Sequence, residues 1–137
     1  MNNKTFWLGF LAVYIVWQVL AYLIHGVLLQ AHYEALAPVF RPEGEMLDKM
    51  WLMYVSSALY LYLFCRIFTV GYENKGVMEG VRFGLLLGLF FSIPAAMDQY
   101  VIYPITTAIA GLWFIAGVIS FMVAGAVFAA IYRPSRV

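Results

Sequence analysis

Two imidazoles, His25 and His32, stand seven residues apart in the stretch LIHGVLLQAHYE, at the end of an apolar segment with no Asp, Glu, Lys or Arg between residues 5 and 33. Histidine exchanges a proton near neutral pH and ligates metals or haem through either ring nitrogen. At the angular step of a regular α-helix, Trp7, Tyr14, Gln18, His25 and His32 fall within one stripe about 40° wide. Near the middle of a bilayer a polar side chain turns toward a protein partner, so Gln18 directs this stripe to the interior of a helix bundle. His25 then lies about level with Asp98, whose carboxylate would orient and partly protonate the ring. The chemistry open to Tyr14, Gln18, His25, His32 and Asp98 is an interhelical hydrogen bond, a proton or cation site at the mouth of a pathway, or metal or haem binding.

Spacing narrows these choices. The two histidines sit about 10.5 Å apart along a helix, whereas zinc lies about 2 Å from a ligating nitrogen, so they do not share one zinc ion on a continuous helix. Bis-histidine haem would need a symmetric dimer. Met46, Met50 and Met53 share one face of a second helix, and thioethers suit Cu(I), although methionine equally fills irregular apolar gaps. The single cysteine, Cys65, excludes an intramolecular disulfide or a paired-cysteine redox centre. A buried, inert thiol is expected there. A nucleophilic triad, a phosphate-binding loop and a nucleic-acid-binding patch are all absent from the sequence. We therefore expect no catalytic residues, no cofactor and no nucleic-acid partner.

The elements that position these residues are legible in the composition. Of 137 residues 65% are hydrophobic and 11% charged, against about 25% charged in a soluble domain. A bilayer core about 30 Å thick needs roughly 20 apolar residues per helix. Four spans fit: residues 6–29, 46–70, 77–97 and 104–132, with an outer loop over 30–45. The fold class is all-α, one four-transmembrane-helix bundle occupying residues 1–137. Lys4 and the ALA at 35–37 also suit a signal peptide, but the apolar run far exceeds the usual 7 to 15 residues. Pro42 with Glu43, Glu45 and Asp48 marks the start of the second span.

Basic flanks set the orientation. Lys4, Arg66, Lys75, Arg82, Arg133 and Arg136 fall on one side, Arg41 and Lys49 on the other. Both termini are expected in the cytoplasm, with the histidines facing an acidic exterior. No convincing repeat relates the two halves, which disfavours an inverted-repeat transporter.

The strongest pattern is a row of small residues. Gly76, Gly80, Gly84, Gly88, Ser92 and Ala96 follow one another at steps of four in the third span, and Ala116, Ser120 and Ala124 form a shorter row in the fourth, beside Gly117 and Gly125. Such faces let helix backbones approach closely, giving contact that lipid does not match. They serve packing within one bundle, a homodimer or a larger complex. Glu79 and Arg82 are spaced for an interfacial ion pair, and Pro94 for a bend that frees a carbonyl near Asp98.

The stretches LIHGVLLQAHYE, MWLMYV, GYENKGVMEGVRFG and AAIYRP together resemble a family of uncharacterised small four-helix membrane proteins of bacteria, over most of the chain. The resemblance implies a multi-pass location in the bacterial inner membrane and carries no activity. Two other small four-helix classes fit poorly: the vitamin K epoxide reductase type needs paired cysteines, and small multidrug exporters carry a glutamate in their first helix. The expected function is a non-enzymatic membrane protein that self-associates or serves as an accessory subunit. The alternatives are a small channel or transporter for protons, metal ions or a small solute, and an enzyme acting on lipid or quinone.

Overall fold

The computed structural model describes residues 3–134 and is all-helical, with four helices long and apolar enough to cross a membrane. Helix α1 covers Asn3–Ala21 and continues as a π-helical stretch, Tyr22–Leu28; α2 is Gln30–Ala35, followed by a 3₁₀ turn, Ala37–Val39. Helices α3 (Glu43–Val70), α4 (Val77–Ile102) and α5 (Thr107–Ile131) complete the chain. The start of α1, the residues after α5 up to Pro134 and the α3–α4 turn lie at one end of the bundle, where the Thr5 hydroxyl donates to the Arg133 carbonyl at 2.9 Å and Tyr72 meets Tyr132. We call this the terminal half, and the half that carries α2 and the α4–α5 turn the distal half.

The elements differ in detail from the spacing-based expectation. Helix α3 begins three residues before 46 because Pro42 at its N-cap, with Glu43 and Glu45 in the first turn, already satisfies a helix start. Helix α4 runs through Pro94 to Ile102, five residues beyond 97. Helix α5 starts at Thr107 rather than 104, since the Thr106 side chain accepts the Ile109 N–H at 3.2 Å and caps it. Between α1 and α3, Tyr33, Leu36, Val39 and Phe40 pack against Ile105, Ile109 and Ala110, while the residues around them are exposed.

Helices α4 and α5 make the closest contact. Gly80, Gly84, Gly88, Ser92 and Ala96 are buried along one face of α4. A Cβ at Gly80 would fall onto the Gly125 carbonyl oxygen, and one at Gly84 onto the Phe121 carbonyl; at Gly88 it would stand 3.0 Å from the Val118 Cα. The small-residue row is thus occupied within the chain. Gly76 lies outside this face: it is exposed, a Cβ there would meet nothing within 4 Å, and its φ of +78° starts α4 in a conformation glycine adopts freely. On α5, Ser120 and Ala124 are buried and Ala116 half-buried.

The main core fills the terminal half with aromatic rings. Phe128 meets Phe6 at 5.8 Å, Phe68 at 5.5 Å and Tyr132 at 5.3 Å, joining α1, α3 and the end of α5. Phe64 contacts Phe83 at 4.8 Å and Phe121 at 5.7 Å. Gly9 lets α1 approach, since a Cβ there would stand 2.9 Å from the Phe128 ring. Cys65 is buried in this core.

Glu79 does not pair with Arg82. Its two carboxylate oxygens accept the backbone N–H groups of Glu73 and Lys75, at 2.6 and 2.7 Å. Asn74 (φ 61°) and Gly76 (φ 78°) turn the chain so that those N–H groups face the first turn of α4, where a carboxylate also complements the helix dipole. Lys75 pairs with Glu73 instead.

Candidate binding site in the distal half

The polar stripe of α1 divides into two parts. Its lower part faces α3: Gln18 Nε2 donates to Ser57 Oγ at 2.8 Å, Ser57 donates to the Tyr54 carbonyl at 2.9 Å, and the Tyr14 hydroxyl reaches the same carbonyl at 3.4 Å. Gln18 therefore has the interior partner that its depth requires. This arrangement fastens α1 to α3.

The upper part is redirected by the π-helical stretch. Leu29 N–H donates to Ile24 C=O, five residues back, at 2.8 Å. Such a turn holds more residues than an α-turn, so side chains beyond it arrive rotated away from the α-helical stripe. Gly26 assists, because the Tyr22 ring lies against it, 3.3 Å from where a Cβ would be. The rotation turns His32 outward, exposed and without a hydrogen bond among the described residues. Tyr33 takes the inward position. His25 Nδ1 lies 2.6 Å from the Tyr33 hydroxyl, with the two rings parallel to within 6°, and Trp113 Nε1 donates to the same hydroxyl at 2.7 Å.

Asp98 is exposed, and among the described residues it makes no hydrogen bond or ion pair, with His25 or with any other group. The expected His25–Asp98 contact is replaced by His25–Tyr33. Burial pushes the Tyr33 phenol above its ordinary range, while the Trp113 hydrogen bond pulls it the other way. The phenol therefore keeps its proton at neutral pH.

Below His25 lies a cavity of about 290 Å³ between the end of α1, α4 and α5. Trp17, Phe91, Trp113 and Phe121 supply aromatic walls, and Ala21, Ala95, Ala116 and Gly117 leave the space open. His25 and Ala95, both exposed, stand at its mouth. Two serines line it. Ser120 donates its proton to the Ala116 carbonyl at 2.7 Å. Ser92 is only 4% exposed, yet its hydroxyl has no hydrogen-bond partner among the described residues. Because no fully enclosed side-chain N or O lacks a partner among them, the hydroxyl keeps its remaining surface on this cavity. Gly117 makes room for it, since a Cβ there would fall onto Ser92 Oγ.

Toward the terminal half the cavity ends at Phe121, which packs on Trp17 at 4.9 Å and on Phe91 at 5.6 Å. The methionines stand apart on α3. Met46 and Met53 are exposed, and Met50 sulfur accepts the Tyr54 hydroxyl at 3.8 Å. Among the described residues no three His, Cys, Asp or Glu side chains converge where a metal ion would sit.

Spacing alone missed Tyr33, Trp113, Tyr54 and Ser57, and it placed Ser92 and Ser120 only on packing faces. Comparison with protein-family models, with curated proteins and with solved structures finds no match to this chain.

Proposed function

We propose that this chain is a non-enzymatic protein of the bacterial inner membrane that holds a small lipophilic molecule in the distal cavity. The carrying observation is Ser92, a buried serine whose hydroxyl has no hydrogen-bond partner among the described residues and keeps its remaining surface on an aromatic-walled space. Buried polar groups otherwise find hydrogen bonds, and small-molecule sites combine apolar walls with a few polar groups. Basic residues support cytoplasmic termini: Lys4, Arg66, Lys75, Arg82 and Arg133 belong to the terminal half, while Arg41 and Lys49 lie at the other end. Arg136 lies outside the described residues. Closure of the cavity at Phe121 favours binding over passage, so the channel or transporter reading recedes. A lipid- or quinone-active enzyme lacks support from any group placed to act as general base.

A second reading, an accessory subunit or self-associating protein, rests on α3. From Glu43 to Ser56 every residue except Met50 is exposed, so this part of the helix is free to meet another protein. The glycine row no longer supports association, because α5 covers it.

Purification from native membranes at native expression level, with mass spectrometry of small molecules and polypeptides, tests both. The expected result is a stoichiometric lipophilic molecule that Ala95→Phe, which fills the cavity mouth, displaces. A stoichiometric protein with no retained small molecule would favour the second reading and count against the first.

A further inference from the structure

We infer that the distal cavity selects a lipid-soluble molecule bearing a hydrogen-bond acceptor, of the carbonyl class, held between the Ser92 hydroxyl and His25 Nε2–H. This rests on the cavity being a binding site, as proposed above. The selectivity follows from the direction of the hydrogen bonds around Tyr33. Indole is only a donor, so Trp113 Nε1–H occupies a lone pair of the Tyr33 oxygen. The phenolic proton has no other acceptor among the described residues, so the 2.6 Å contact is assigned with the Tyr33 hydroxyl donating to His25 Nδ1. A neutral His25 that accepts at Nδ1 carries its own proton on Nε2. The remaining hydrogen-bonding atom of this cavity-lining ring is therefore a donor.

Ser92 supplies a second donor. Its O–H is not returned to its own helix, unlike that of Ser120, which bonds to the Ala116 carbonyl. A ligand without an acceptor would cover the hydroxyl of Ser92, a residue only 4% exposed, without pairing it, which is costly. A carbonyl oxygen has two lone pairs to offer and carries no proton needing a partner of its own. The volume of about 290 Å³ lies at the lower end of small-molecule pockets, so it takes a ring-sized portion. An attached alkyl chain leaves past Ala95 into lipid.

The test uses protein in lipid nanodiscs and three probes of equal chain length: an alkyl phenyl ketone, its secondary alcohol and the alkylbenzene. Trp17 and Trp113 line the cavity, so ketone binding is read as fluorescence quenching and the other probes by displacement, at known mole fraction in the lipid. The ketone is expected to bind about tenfold more tightly than the alkylbenzene, with the alcohol between them. Ser92→Ala and His25→Phe should each remove most of that preference while the alkylbenzene binds as before; circular dichroism reports on folding. Tyr33→Phe, which releases the His25 tautomer without touching the cavity, should weaken the preference only in part. Equal affinity for ketone and alkylbenzene, or a preference unchanged in Ser92→Ala, would overturn the acceptor assignment and leave a binding cavity. Absence of saturable binding by any probe would overturn the binding reading as well.

Discussion

The terminal half of the bundle is centred on rings in mutual contact, with a cavity of about 450 Å³ on its α3–α4 flank beside Phe68, Gly71 and Phe83, whereas the distal half, built by the same helices, has a half-open cavity between α1, α4 and α5 and leaves much of α3 uncovered. Both halves are apolar, so hydrophobicity does not distinguish them. Lipid is as apolar as leucine, and association of helices within it rests on shape and hydrogen bonds. In the terminal half, Gly9, Gly80, Gly84 and Gly125 remove side chains where backbones or rings must meet, and Phe6, Phe64, Phe68 and Phe128 fill what remains. In the distal half, Gly117 makes room for the Ser92 side chain, while the small side chain of Ala95 leaves the mouth of the cavity open.

The largest effect that would break this contrast is at the α4–α5 face. Gly84→Leu drives a side chain into the Phe121 backbone, and backbone yields far less than a rotamer. Loss of the folded state is expected, read as disappearance of cooperative thermal unfolding in detergent. Ala95→Leu, a comparable enlargement at the exposed mouth of the cavity, should leave unfolding nearly unchanged. Next in size is ring removal in the terminal half: Phe128→Ala should cost about 2–4 kcal/mol, by analogy with large-to-small core changes. Phe91→Ala in the distal half, where one face is already exposed, should cost under about 1 kcal/mol. Equal costs would show that the distal half is as tightly coupled as the terminal one.

The smallest effect concerns Tyr33. Its phenol is held above its ordinary value, so the fold favours the neutral form. That contribution is complete below the unfolded value of about 10 and is lost as pH rises through the higher folded value. The stability difference between wild type and Tyr33→Phe is therefore expected to be about 1 kcal/mol near pH 7 and to shrink above pH 10. A difference independent of pH up to 12 would detach the phenolic proton from the distal network.

The four spans could be read from the sequence because long apolar runs bounded by Pro42, Gly71, Gly76 and Pro134 leave few alternatives. The glycine row was readable as a close-packing face, but spacing on one helix does not name the partner, and α5 proved to be it. The distal site was hidden for a different reason. Projecting His25 and His32 onto one stripe assumes a constant angle per residue, and the π-helical stretch violates it between them. Trp113 is 80 positions from Tyr33, and no local pattern joins them. Ser92 was concealed by its own register, since a serine in a row of glycines and alanines reads as a spacer. Glu79 shows the same limit at short range: Arg82 is correctly spaced for it, but two positive-φ residues bring backbone N–H groups closer.

The ring contacts of the terminal half also set an order of events during synthesis. Phe6, Phe64 and Phe68 belong to the first two spans, yet the rings that join them, Phe121 and Phe128, lie on the last. As the ribosome delivers the chain from its N-terminus, α1 and α3 already hold each other through Gln18–Ser57 and through Tyr62, whose ring meets Phe6, Trp7 and Phe10. Helix α4 arrives with a glycine face that has no mate until the four residues after Ile102 have turned the chain back. The final 25-residue helix then meets all three at once, so a message truncated before it would leave α1, α3 and α4 with their contacts through Tyr62 and Phe83 but without the rings of Phe121 and Phe128 that complete the core.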